Sequence, residues 1–319
     1  MIDPDFSCFL DEALPGGTRN VISMGNNVVV RSISPAGDFV AKKIVDTDIP
    51  ADYLIRINSE MSRFLEVQKT RSSFNALGSV YVISDFIPGV NLSSYLEQAR
   101  TDEELDSVGD YLTTFCEASR FLTPFTNGFA LFKNGAPTFE THLEFLQFYA
   151  KKYWGRVRDT LPNERLRQWL EHWVEVQIGE ATLDDQYRTV SIDSNMRNFM
   201  FQADGGITLL NIPIVGFSTQ SHAVAALSVH LRNTALHRLF LSKVETSLSP
   251  AARRAVIHLE LWNILGIMSF YAARDPGGVA NWRNWGSSVP LLQDIENVAQ
   301  SLGYLSQGYG EHQADKLNI

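Results

Sequence analysis

Two periodicities divide the chain. Near its start, β-branched residues cluster in short runs: positions 19–23, 28–33 and 39–45 read as three consecutive strands, joined by Met24-Gly25-Asn26-Asn27 and Ser34-Pro35-Ala36-Gly37-Asp38. From 51 to 69 the period changes. Leu54, Ile57, Met61, Phe64, Leu65 and Gln68 recur at spacings of three and four after Pro50, which suits a first turn, so a helix is predicted there. A strand over 78–87 ends at Pro88-Gly89 and leads into a helix capped near Asn91 or Ser93. Beyond it the pattern is helical: 102–121, opening on a Thr101-to-Glu104 capping box, then 138–158 and 163–178, rich in aromatics, then 221–241, 250–271 and 291–305.

Residues 189–216 interrupt the helical part. Phe199, Met200 and Phe201 and a second apolar run at 207–210 flank Ala203-Asp204-Gly205-Gly206, whose glycines can supply the positive φ of a tight turn, so the stretch reads as a β-hairpin. Strands early and helices late, broken by one hairpin, is an α+β pattern. Polar residues mark the hairpin's open end. Asp193 and Asn198 stand five residues apart before the first strand and Asn211 ends the second, so closing the hairpin draws all three toward one point. A carboxylate beside two oxygen donors is the set that phosphoryl transfer requires, the donors holding Mg²⁺ on the phosphates and the carboxylate orienting the attacking hydroxyl.

The third strand carries Lys42 and Lys43 among apolar residues. Strand alternation sends them to opposite faces, so one can serve a phosphate while the other keeps its head in water. Glu60, 18 residues past Lys42, falls within the following predicted helix. His142, Glu144, His172 and Glu175 lack the spacing of a zinc motif. The Trp-rich loop at 281–286 is expected to pack rather than to line a pocket.

The stretch TVSIDSNMRNFMFQADGGITLLNIPIVG resembles the catalytic and metal-binding hairpin of the aminoglycoside phosphotransferase and choline kinase group, whose pattern is roughly H-G-D-x-x-x-x-N, strand, turn, strand and I-D. SMGNNVVV, FVAKKI and VISDFIPGVNLSSYL resemble that group's first turn, lysine strand and linker, in the same order, so the likeness covers roughly residues 19–230. It implies a two-lobed protein-kinase-like fold with ATP between the lobes: a small antiparallel-sheet N-lobe over 1–86 and a mainly helical C-lobe over 87–319 that carries the hairpin. It also implies roles. Asp193 falls on the catalytic Asp and Asn198 on the metal-binding Asn; Gly25 and Asn27 lie in the turn that covers the phosphates; Lys42, held by Glu60, would pair with the phosphates, with Lys43 the fallback; Val40 would lie near adenine, and the backbone of Asp85, Phe86 and Ile87 would hydrogen-bond it. Helices before the hairpin would wall the acceptor pocket.

Three positions depart from the group's pattern. Ser191 stands for its His, Asn211 for its second metal-binding Asp, and the neighbourhood of Ser221 lacks the Asp that often begins the next helix. An amide oxygen can touch Mg²⁺ but brings no charge, so a weakened metal site is expected. The function implied is transfer of the γ-phosphate of ATP to a hydroxyl of a small molecule. The alternative is a pseudokinase that keeps the fold as a nucleotide-binding or protein-interaction module and transfers no phosphate.

Composition narrows the setting. The chain has 319 residues, 45% of them hydrophobic, enough for a sizeable core. Its net charge of −9 and scattered basic residues argue against a nucleic-acid surface. Two cysteines are too few for a disulfide framework, and the N-terminus carries acids where a secretory signal has basic residues. No stretch reads as a bilayer span, so no membrane partner and a cytoplasmic location are expected.

Overall fold

The structure, a computed structural model, describes residues 4–304 apart from 25–26, 45–49, 77–78, 127, 132–134, 185, 193, 211–214 and 285–286. The chain forms two compact units, Met1–Thr138 with Arg188–Phe217, and Phe139–Tyr187 with Ser218–Ile319.

The first unit is built on a five-stranded antiparallel sheet. Strands β1 (Thr18–Met24), β2 (Asn27–Ser34), β3 (Gly37–Ile44), β4 (Thr70–Ala76) and β5 (Ser79–Asp85) lie in the order β1-β2-β3-β5-β4. The sequence pattern missed β4, because Thr-Arg-Ser-Ser-Phe-Asn-Ala on a sheet edge carries one large apolar side chain and no clear alternation. It also missed helix α1 (Pro4–Ala13), whose Phe6, Phe9 and Leu10 fall at helical spacing and pack with Val30, Ala41, Tyr81 and Ile83 of the sheet. The Phe9 ring lies 4.7 Å from that of Phe74 and 5.0 Å from that of Tyr81.

The sheet's other face meets α2 (Ala51–Met61). Ser73 Oγ donates to the Ala51 carbonyl at 2.9 Å, and Asn58 Nδ2 to Thr70 Oγ1 at 3.1 Å. The helix expected over 51–69 stops at Met61, and the chain turns so that the segment at 66–68 can join the hairpin instead.

After β5 come β6 (Val90–Asn91), α3 (Leu92–Leu96), capped by Asn91 Oδ1 on the Ser94 N–H, and α4 (Asp102–Ala118), whose Thr101–Glu104 capping box is formed as expected. Short β7 (Ala130–Leu131), β8 (Tyr187–Ser191) and β11 (Val215–Thr219) make a three-stranded sheet, and the predicted hairpin is β9 (Phe199–Phe201) with β10 (Ile207–Leu209). Asp204 Oδ1 accepts from the Gly206 N–H, and Gly205 takes φ +87°, so the turn is built by the residues that signalled it. Phe199 is fully buried, edge-on to Phe115 of α4 at 5.3 Å.

The second unit is helical: α5 (His142–Val157), α6 (Glu164–Glu175), α7 (Gln220–Leu231), α8 (Ala235–Glu245), α9 (Pro250–Ala272) and α10 (Leu291–Ser301). The helix expected over 221–241 is two. Asn233 breaks it with φ +66° and donates from its amide to Asp294 Oδ1 at 3.0 Å. Helix α9 packs on α5, α7 and α10. By length and composition it could cross a membrane, contrary to the sequence expectation, but 72% of its apolar window is buried inside the structure. In the loop expected to pack, Trp282 is buried and donates to the Asp275 carbonyl at 3.2 Å; Trp285 and Gly286 lie outside the described residues.

Candidate active site

Side chains directly opposite one another on antiparallel strands share a face. Lys42 pairs with Val82, and Val82 with Ser73, which bonds α2; Lys42 therefore lies on the α2 face. Lys43 pairs with Tyr81, and its Nζ sits 5.6 Å over the Tyr81 ring on the face covered by α1. The register thus assigns the two lysines to opposite faces of the sheet, Lys42 with α2 and Lys43 with α1.

Val40 shares the Lys42 face and pairs with Ser84. Ser84 is 1% exposed, and its hydroxyl has no hydrogen-bond partner among the described residues. Sequence reasoning passed over it as one polar residue closing an apolar strand. The segment after it is anchored from three sides: the Asp85 N–H donates to the Lys69 carbonyl at 3.0 Å, Gln68 Nε2 donates to the Asp85 carbonyl at 2.7 Å, and the Phe86 N–H donates to the Asp38 carbonyl at 3.0 Å. Arg71 clasps the Asp85 carboxylate with bonds of 2.6 and 2.9 Å, and the Arg31 guanidinium covers the Phe86 ring at 3.7 Å. Neither backbone group of Ile87 is engaged among the described residues.

Glu60 lies in the last turn of α2. Its carboxylate accepts from the Thr123 N–H at 2.8 Å and from Thr123 Oγ1 at 2.6 Å, while Tyr53 of the same helix donates to the Thr123 carbonyl at 2.8 Å. This engagement of Glu60 gave no sign in the sequence.

The loop that enters the hairpin is braced from within. Ser194 Oγ donates to the Ser191 carbonyl at 3.4 Å, the Arg197 N–H to Asn195 Oδ1 at 2.9 Å, and the Asn198 N–H to the Asn195 carbonyl at 2.9 Å. Asn198 is placed at the mouth of the hairpin, where the Leu210 N–H bonds its carbonyl at 2.6 Å. Asp193, Asn211 and Gly25 lie outside the described residues, as does the side chain of Asn27. Ser191 is buried, and its hydroxyl has no partner among the described residues.

The first turn of the helix after β11 holds no acid of its own, but a carboxylate from elsewhere in the chain bonds it. Asp184, 37 residues upstream, is buried and accepts from the N–H of Ser221 at 2.9 Å and from its Oγ at 2.6 Å. The sequence search for an Asp near Ser221 could not find it, because the residue comes from another part of the chain.

The β-rich unit with its hairpin, followed by the helical unit, defines a protein-kinase-like α+β fold of the kind found in aminoglycoside phosphotransferases and choline kinases. Among solved structures, a thermostable mutant of aminoglycoside phosphotransferase APH(4)-Ia in ternary complex with ADP and hygromycin B is similar at a TM-score of 0.67 and 16% identity, over 93% of this chain and 99% of that one. Choline kinase LicA from Streptococcus pneumoniae follows at 0.56 and 14%, over 93% and 97%. Aminoglycoside phosphotransferase APH(2")-IIa with gentamicin gives 0.57 and 12%, over 94% and 97%. No protein-family model matches the sequence, and no curated protein matches it.

Proposed function

We propose that the chain is an ATP-dependent phosphotransferase that moves the γ-phosphate to a hydroxyl of a small molecule. One observation carries the reading: in a chain with this fold, Lys42, and not Lys43, shares the α2 face with Val40 and the buried, unpaired hydroxyl of Ser84, next to the segment at 85–87. A buried Ser84 hydroxyl without a partner among the described residues, and an Ile87 backbone that none of them engages, leave polar groups for a polar, planar base. Lys42 neutralises phosphate charge, with Glu60 the acid of the facing helix. Asp193 orients the acceptor hydroxyl and takes its proton as the oxygen bonds to phosphorus and ADP leaves.

The two residues that the resemblance assigns to a metal, Asn198 and Asn211, both offer amide oxygens, which suits a hard divalent cation such as Mg²⁺. When bound, the metal would offset charge on the phosphates. The pair carries no formal charge where the resembled pattern has one, so binding is weaker by about a few kcal/mol. Asn211 and Ser191 also motivate the second reading, a pseudokinase-type module that binds nucleotide or a protein partner and transfers nothing.

The test is a thermal shift with ATP and Mg²⁺ or Mn²⁺, then ATP consumption with aminoglycosides, choline and ethanolamine as acceptors. A shift lost in Lys42→Ala and transfer lost in Asp193→Ala support the enzyme. Binding without transfer under either metal supports the module; neither binding nor transfer ends the enzyme.

A further inference from the structure

The segment between α2 and β4 touches two parts of the proposed site at once. The Leu209 N–H donates to the Glu66 carbonyl at 2.9 Å, and the Gln68 N–H donates to the Leu209 carbonyl at 2.8 Å, so residues 66–68 run as a parallel track along β10. Glu66 is further tied to the hairpin by its carboxylate, which accepts from Thr208 Oγ1 at 2.9 Å and Gln202 Nε2 at 3.2 Å. Tyr111 of α4 donates to the Glu66 carbonyl at 3.0 Å. One residue beyond Leu209, the Leu210 N–H closes on Asn198.

Gln68 is 4% exposed, and its side chain does something different from its backbone. The amide nitrogen reaches the Asp85 carbonyl at 2.7 Å, at the start of the segment proposed to hold the base. A single residue thus bonds the hairpin through its main chain and the base-binding segment through its side chain. From Asp85 to Asn198 the path is Gln68 side chain, Gln68 backbone, Leu209 and Leu210, with hydrogen bonds of 2.7, 2.8 and 2.6 Å joined by covalent backbone.

We propose that Gln68 is a positioning residue that couples nucleotide-base binding at residues 85–87 to the order of the hairpin that carries Asn198. The inference rests on the phosphotransferase reading for the place of the base. Binding that fixes the Asp85 carbonyl also fixes Gln68, and through it the register of β10. The coupling is a free energy shared by two sites and needs no metal bridge between them.

Amide hydrogen exchange on the full chain tests it, with ADP in the presence of EDTA as the probe, so that no metal links phosphates to the hairpin. In the wild-type chain, exchange at the Gln68, Leu209 and Leu210 amides slows at least fivefold on ADP binding. In Gln68→Met, which keeps the length of the side chain and removes the donor, that slowing falls below twofold, and the KM for ATP rises several-fold while the KM of the acceptor stays put. Rescue by Gln68→His, whose ring N–H can donate again, separates positioning from bulk stability. Unchanged hairpin exchange in the wild type overturns the coupling whether or not the variants fold; equal protection in wild type and Gln68→Met overturns the role of Gln68. If ADP binds in those cases, the phosphotransferase reading survives. If the wild-type chain binds no nucleotide with or without metal, both fall.

Discussion

At the scale of single residues, the contrast between Lys42 and Lys43 is the most direct handle on the site. The two are chemically identical neighbours, and only strand register separates them: one lies on the α2 face beside Val40 and Ser84, the other over Tyr81 beneath α1. Lys42→Met is therefore expected to weaken ATP at least tenfold, roughly 1.4 kcal/mol or more, while Lys43→Met leaves it within twofold, as measured by calorimetric titration. Equal effects would place the phosphates elsewhere. Sequence alternation stated that the two lysines face opposite ways, and the order of strands around β3 shows which helix each one faces. By contrast, Ser84 and Gln68 were invisible as site residues. A lone serine or glutamine in a sequence carries no chemistry until the structure shows an unpaired hydroxyl or a bond to a carbonyl 17 residues away.

At the scale of elements, the hairpin is held along both edges by segments that border the 85–87 stretch. β6 pairs with β9 through Val90–Phe201 and Asn91–Met200, and Val67 bridges Leu209 on the opposite side. Gly89 makes the β6 contact achievable. Its φ is +144°, and a Cβ there would lie 2.0 Å from the Phe201 carbonyl oxygen, a backbone atom that cannot swing aside. Gly89→Ala should cost about 3 kcal/mol, from backbone strain together with the displaced strand, read as a lowered urea midpoint by circular dichroism. A midpoint unchanged within error would mean that β6 does not hold the hairpin. The Pro-Gly punctuation was legible in sequence, as were β1 to β3, β5, the hairpin and the start of α4, because each has strong local turn or capping chemistry. Failures came where long-range contacts decide: α2 ends early so that Glu66 and Gln68 can reach β10, and β4 is a strand because β5 needs a neighbour.

At the scale of the molecule, the two units can be followed separately, since all six tryptophans, at 154, 169, 173, 262, 282 and 285, fall in the helical one. That unit buries two imidazoles around one hydroxyl. His142 Nε2 lies 3.0 Å and His222 Nδ1 2.8 Å from Ser218 Oγ, a hydroxyl with one proton to give and two lone pairs that can receive an N–H. Burial pulls His142 down to about 4, against a smaller opposing effect of Asp184, and burial with the charge of His142 pulls His222 down to about 3. Both folded values lie below the ordinary histidine value near 6.5, so the unfolded chain binds protons first as pH falls. The neutral rings' contribution is fully present above about pH 6.5 and is lost as pH drops toward their folded values. Each ring costs up to roughly 1.4 kcal/mol per pH unit in that window, so the helical unit should lose about 2 kcal/mol between pH 6.5 and 5.5. Carboxylates titrate mainly below that interval, which keeps the signal attributable to histidine. Urea unfolding followed by tryptophan fluorescence at the two pH values measures it. In a variant with both rings replaced, such as His142→Gln with His222→Gln, the dependence should flatten even where overall stability is lower. An unchanged slope there would mean that other groups carry the acid sensitivity.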